Sequence, residues 1–381
     1  MENKAEILVF IDWFLPGYKA GGPIQSVKNL IDLLKKDYNF YLVTSNKDEG
    51  ETLAYEGIIP GIWYEKEGYW IQYLDDSMQH VSYFKKLISE HDFENIYINS
   101  MFSPGFSIKP LYAAISTNKS VILAPRGMLG AGALEIKSFK KMVYLSAFKA
   151  LGWHKKLVWH ATADTEYHEI QKIFGKVHTH IISNVSAASQ DYLSKIKVKN
   201  DLNLFFLSRI SFKKNLLDAI GYLKYIPESY SVKFTIIGPI EESEYWKSCK
   251  TQIEQLPAHI RCNFIGPVAN DRIASLLHEQ HVLLLPTRSE NYGHVIVESW
   301  QNGCPVIISD QTPWKNLHEH KLGYELPLIK GRKFIKAIIN FAGMKQQEFN
   351  EWSHSSYNYS ISLSDKNTIK SKYKNLFKDK L

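Results

Sequence analysis

The chain has 381 residues, 45% of them hydrophobic and 22% charged, and a net charge of +7. That length asks for about two domains, and the balance is that of a globular protein, not a disordered or fibrous one. No run of about 18 apolar residues is present, so no membrane-spanning helix is expected.

The start, Met1-Glu2-Asn3-Lys4-Ala5-Glu6, lacks the basic-then-apolar layout of a signal peptide. Cys249, Cys262 and Cys304 follow no metal-ligand spacing. They are expected to be reduced thiols of a cytoplasmic protein, without zinc. Aromatic residues make up 13%, which suits stacking clefts and aromatic-rich cores alike.

Short apolar runs alternate with helical patterns along the whole chain. Strands are expected at 7–11, 40–44, 96–98, 121–124, 157–160 and 180–182, and again at 202–207, 233–237, 262–265, 282–285 and 306–309. Helices are expected at 24–36, 108–116 and 134–151. Such alternation means parallel sheets with helices on both faces. The segment 58–73, rich in Gly, Trp and Tyr, breaks the rhythm and reads as a hairpin-like insertion.

The fold class is therefore α/β, with two doubly wound, Rossmann-like domains. A first domain is expected over 1–185, a second over 186–360, and a basic helix over 361–381 that packs back on the first. A cleft between two such domains is the default ligand site.

The first strand runs into Asp12-Trp13-Phe14-Leu15-Pro16-Gly17-Tyr18-Lys19-Ala20-Gly21-Gly22-Pro23. Gly21 and Gly22 before a helix-starting proline free backbone amides for an anion at the positive helix end. A plain flexible turn is the equal alternative. The pattern is neither a dinucleotide fingerprint nor a phosphate loop.

Segment 131–160 holds Lys137, Lys140, Lys141, Lys149, Lys155 and Lys156 against Glu135, interleaved with Met142, Tyr144, Phe148, Trp153 and Trp159. It is either a solvated helix face or a surface for an anionic membrane. No nucleic-acid-binding signature accompanies the charge.

In the second half, Arg209 follows a buried strand and Lys214 stands at a helix entrance five residues later. Two cations there suit a diphosphate. Each alone is more often a solvated loop charge. Gly238 and Gly266 end two further strands. Past the strand at 282–285, Glu290 lies in a loop and Glu298 in the helix after it. Open parallel sheets bind ligands at these strand ends.

In this order and spacing the marks resemble the family 4 retaining glycosyltransferases of the GT-B fold, across almost the whole chain. The segment Pro286-Thr287-Arg288-Ser289-Glu290-Asn291-Tyr292-Gly293 closely follows that family's donor loop. The resemblance implies an enzyme; the cysteine usage points to the cytoplasm, and the membrane reading of segment 131–160 to the inner membrane face. The enzyme would move a sugar from a nucleotide-diphosphate donor to a glycan or lipid-linked acceptor, in cell-surface polysaccharide synthesis and without a metal cofactor.

Arg209 and Lys214 would hold the diphosphate and Glu290 the donor sugar. Asn291, Tyr292 and Gly293 would lie beside that sugar, Glu298 would take the ribose, and Gly21 and Gly22 the phosphates. Two departures stand out: Asn215 replaces a glycine after the lysine, and Ser100 stands where relatives carry a histidine. Ser100 and Arg126 are candidates for the acceptor side, although Arg126 is equally a structural residue. His160 and Glu166 read as structural. An epimerase-like enzyme of the same fold and a catalytically silent binding protein are the alternatives.

Overall fold

The computed structural model describes residues 4–130, 133–134, 138–185, 191–363 and 366–380. The chain divides into two compact units, Met1–Val185 with Lys366–Leu381, and Ser186–Asp365. Among the described residues no helix is long and apolar enough to cross a membrane.

The first unit runs β1 (Glu6–Phe10), α1 (Gly22–Leu34), β2 (Asn39–Ser45), β3 (Trp63–Lys66), β4 (Tyr69–Leu74), α2 (Val81–Glu90) and β5 (Asn95–Asn99). After a π-helical turn, Pro104–Ile108, come α3 (Lys109–Ile115), β6 (Ser120–Ala124), α4 (Ser138–Ala150), β7 (Val158–Ala161), α5 (Asp164–Phe174) and β8 (Thr179–Ile181). The sheet order is β3-β4-β2-β1-β5-β6-β7-β8. Among the described residues only the β3–β4 pair is antiparallel.

The hairpin expected at 58–73 is therefore present, but it is not set apart from the sheet. Its second strand pairs in parallel with β2, so it extends one edge.

Alternation along β1 divides the core into two layers, because successive side chains point to opposite faces. Ile7 and Val9 pack with Ile24, Val27 and Leu30 of α1. Leu8 and Phe10 pack on the other face with Phe84 and Leu87 of α2 and with Phe148 of α4.

The second unit runs β9 (Asp201–Leu207), α6 (Leu216–Leu223), β10 (Ser231–Ile237), α7 (Ser243–Ile253), β11 (Ile260–Gly266), α8 (Asn270–His278) and β12 (Val282–Leu285). It continues through α9 (His294–Gln301), β13 (Val306–Ser309), β14 (Gly323–Leu326), α10 (Gly331–Gly343) and α11 (Gln346–Ser362). Its parallel sheet has the order β11-β10-β9-β12-β13-β14. β14 escaped the sequence reading because it is a short edge strand, half-exposed along most of its length.

A last helix, α12 (Lys366–Lys378), belongs to the first unit. Its Tyr373, Leu376 and Phe377 join the layer over α1. Phe377 meets Tyr38 edge-on at 5.4 Å, and Asp37 takes Lys370 at 2.7 Å and Lys374 at 2.6 Å.

Candidate functional site

In the second unit the chain passes from β9 to β10 on one side, and later returns to β12 on the other. The connections leaving β9 and β12 diverge, which opens a crevice at the carboxyl ends of those two strands. Lys214 and Glu290 meet there. Lys214 ends the short turn Phe212–Lys214 after β9, and Glu290 lies in the loop after β12. Their side chains form an ion pair and are 12% and 15% exposed.

Burial alone would raise the Glu290 carboxyl. The charge and hydrogen bond of Lys214, followed by Lys213 and His294, outweigh it and hold that carboxyl below its ordinary value.

Both loops are fixed by main-chain bonds. The Arg288 amide donates to the Lys213 carbonyl at 2.8 Å, and the Glu290 amide to the Gln311 carbonyl at 3.0 Å. Asn215 has φ 61° and ψ 40°, the left-handed conformation that glycine and asparagine adopt most readily. Its side chain donates to the Pro286 carbonyl at 2.9 Å. Asparagine in place of glycine thus keeps the turn and adds a tie to the end of β12.

Arg209 sits just past β9, half-exposed, and donates to Glu241 at 2.9 Å. Among the described residues the ion pairs at this strand end are Arg209–Glu241 and Lys214–Glu290. Lys213 was missed from sequence although it adjoins Lys214. Burial first, then the neighbouring Lys214 charge, lowers its ammonium pKa, with Arg209 a further contributor. The strand end therefore gathers three cations and Glu290.

Asn291, Tyr292 and Gly293 lead into α9. Gly293 has φ 77°, and a Cβ there would lie 3.1 Å from Cγ of Glu290 and 2.8 Å from Cδ1 of Ile296. Only glycine turns the chain this tightly behind Glu290. The Tyr292 carbonyl accepts a hydrogen bond from the Trp314 indole at 2.6 Å. Further along α9, burial pushes the half-buried Glu298 carboxyl up to about 7. Gly238 and Gly266 close the neighbouring strands β10 and β11.

The first unit has an analogous crevice between β1 and β5. Asp12 follows β1, and Ser100, just past β5, donates to its Oδ2 at 3.1 Å. Ser100 also bonds Ser107 and has φ 147°, a strained value for a residue with a side chain. Burial raises the Asp12 carboxyl pKa against hydrogen bonds from Ser103 and Ser100. Among the described residues no cation pairs with it. Asp12 was not singled out from sequence; its place at the end of the first strand was the available signal.

Gly21, φ 64°, is the N-cap of α1, and Gly22 begins the helix. Asp48 fixes the preceding loop by accepting the Tyr18 amide at 3.0 Å and the Lys19 amide at 3.2 Å.

Arg126 donates to Asn99 at 2.6 Å, to Tyr97 at 2.8 Å and to Asn184, so its guanidinium ties the strand ends together through neutral partners. His160 is buried between Tyr97 and the Ile182 carbonyl, and burial lowers its pKa to about 3. Glu166 accepts from the Thr162 amide and hydroxyl, both at 2.7 Å. All three are knit into the scaffold.

Residues 190–322 match the family model described as Glycosyl transferases group 1. A relative from Klebsiella pneumoniae, described as an uncharacterized 41.2 kDa protein in the cps region, is 26% identical over 237 residues. That match takes in 59% of this chain and 62% of the relative, so the chain spans less than two thirds of its length.

Among solved structures, sucrose-phosphate synthase from Thermosynechococcus elongatus aligns with a TM-score of 0.75 at 13% identity, over 99% of this chain and 98% of that one. Alr3699/HepE from Anabaena, in complex with UDP and glucose, aligns with a TM-score of 0.69 at 16% identity, over 98% and 99%. The fold is that of the GT-B glycosyltransferases.

Proposed function

We propose that the protein is a retaining glycosyltransferase that moves a sugar from a nucleotide-diphosphate donor to a glycan or lipid-linked acceptor, in cell-surface polysaccharide synthesis. The observation that carries this reading is the Lys214–Glu290 pair at the β9/β12 crevice, with Arg209 and Lys213 beside it. Three cations suit a diphosphate leaving group, whose charge grows as the sugar–phosphate bond breaks. Arg209 and Lys214 supply positive charge to that group. Glu290, kept ionised, accepts hydrogen bonds from sugar hydroxyls, and Glu298 takes the ribose hydroxyls.

The amides of Asn291, Tyr292 and Gly293 face the donor from the start of α9, and those of Gly21 and Gly22 offer an anion site at the start of α1. In front-face transfer the bond from the anomeric carbon to the phosphate oxygen breaks, and the acceptor oxygen bonds to the same face. The leaving phosphate takes the acceptor's proton. The acceptor is assigned to the first unit, near Asp12 and Ser100. The cps-region relative supports the polysaccharide setting, and the UDP and glucose bound to the Anabaena neighbour support the donor class.

The test is incubation with a panel of nucleotide sugars, following nucleotide release and sugar transfer. Release by the wild type, lost in K214A and E290A while both variants stay folded, is expected. Undiminished release by both would refute the assignment, and conversion of a donor without nucleotide release would favour an epimerase.

Placement at the inner membrane face rests on α4. Phe139, Met142 and Val143 are 77%, 64% and 54% exposed, spaced to share one helix face. The exposed Lys140, Lys149, Lys155 and Lys156 flank them. An apolar stripe edged by lysines suits an anionic bilayer surface. Binding to vesicles containing an anionic lipid is expected, and the F139D/M142D double variant should lose it. Equal binding of wild type and double variant would remove α4 from that role.

A further inference from the structure

The strand β8 and the end of the chain build a second cluster, in the first unit. His178 and His180 stand two apart at the sheet edge, so their side chains leave on the same side. Both direct Nε2 at one atom, Oδ2 of Asp379, at 2.6 Å and 2.5 Å. The three candidate ligand atoms lie within 4.8 Å of one another.

Asp379 is the one acid in 366–381, a stretch that also contains six lysines. Its backbone is fixed as well, its carbonyl accepting from Ser120 Oγ at 3.1 Å. Burial alone would raise this carboxyl, but the hydrogen bonds from His178 and His180 bring it below its ordinary value.

We propose that His178, His180 and Asp379 form a binding site for a zinc-class divalent metal that staples the end of α12 to β8. Two imidazoles and one carboxylate are a ligand set suited to zinc, cobalt, nickel or copper, and poorly suited to magnesium or calcium. Each Nε2 donates its N–H to the carboxylate oxygen. On binding, each Nε2 proton moves through solvent to Nδ1 of the same ring, so that an imidazole and not an imidazolate offers its Nε2 lone pair, and zinc bonds to those two nitrogens and the carboxylate oxygen.

Tetrahedral zinc, with bonds of about 2.0–2.1 Å, sets its ligand atoms about 3.3 Å apart, so each Nε2–Oδ2 separation needs to grow by less than about 1 Å. The half-exposed setting leaves the fourth position to water. Lys378 and Lys380, the chain neighbours of Asp379, oppose an added cation and make the site a moderate binder. A metal held only by the folded chain raises its apparent stability. The cluster belongs to the first unit, and the Lys214–Glu290 pair to the second.

The test uses the full chain freed of metal with a chelator, then titrated with zinc chloride while thermal unfolding is recorded. Zinc should raise the unfolding temperature of the wild type, magnesium chloride should not, and the chelator should reverse the rise. The zinc-dependent increment should vanish in H178A, H180A and D379N. It should persist in H168A, which removes an exposed histidine outside the cluster. Because the increment is read within each variant, a loss of basal stability does not blur it. Cobalt should give a visible absorption band with wild type that H180A lacks. No zinc response in the wild type, or the same response in the H178A/H180A double variant, would overturn the proposal.

Discussion

The two units share one topological device and fill it with opposite electrostatics. At the β9/β12 crevice, Glu290 is ionised against Lys214, with Lys213 and Arg209 nearby. At the β1/β5 crevice, Asp12 stands among serine hydroxyls and its carboxyl is raised. Paired charges in a cation-rich crevice suit a phosphate ligand that exchanges partners with the carboxylate. A lone acid among hydroxyls suits a neutral, hydroxyl-bearing ligand. Topology sets where each ligand can sit; the residues past the strand ends set its chemistry.

The comparison breaks most sharply at Lys214. K214A should cut turnover of the nucleotide sugar by roughly 10²–10³-fold. It also leaves Glu290 without its partner, at a cost of up to about 3 kcal/mol in urea unfolding. Replacing both partners, as K214M/E290L, should recover stability without recovering turnover. Recovery of turnover would mean that the pair serves only the fold.

The pH dependence of stability sharpens it next. Glu290 is lowered, so the stability it contributes is present above its unfolded value and is lost as pH falls through the folded one. Glu298 is raised from 4.5 to about 7, so its contribution is lost as pH climbs across that window. E298Q should therefore be more stable than wild type at pH 8 by about 2–3 kcal/mol, with no difference at pH 4. Denaturant unfolding at a series of pH values reads this, and equal curves would remove burial as the cause.

D12N should act with the same sign in the first unit and a smaller amplitude, because two hydroxyls already hold the Asp12 carboxylate. It should leave nucleotide release intact and impair transfer, measured as a change in the acceptor KM. The smallest effect is expected at the surface pair Lys374–Asp37, where K374A should cost no more than about 1 kcal/mol.

Much of the β9/β12 crevice could be read from sequence, because its residues come in order after buried apolar runs. Glu290, Lys214 and Asn215 sit where strand ends and spacing put them, and Asn215 shows why a departure from glycine was tolerated. What escaped depends on three dimensions. Lys213 adjoins Lys214, and spacing does not reveal that both are partly buried at the strand end. Asp12 meets Ser100 across 88 positions, through two neighbouring strands. His180 meets Asp379 across 199 positions, through the return of α12 to the first unit. β14 lacked an apolar run because its edge position leaves it half-exposed.

The central claim is that the β9/β12 crevice holds a nucleotide-diphosphate sugar through Lys214. The most direct measurement is thermal unfolding of wild type and K214A with a panel of nucleotide sugars and their free nucleotides, since a ligand of the native state raises its unfolding temperature. At least one nucleotide sugar should raise the transition of the wild type, and K214A should lose that rise while remaining folded. An equal rise in both proteins, or none with any nucleotide sugar, would contradict the assignment.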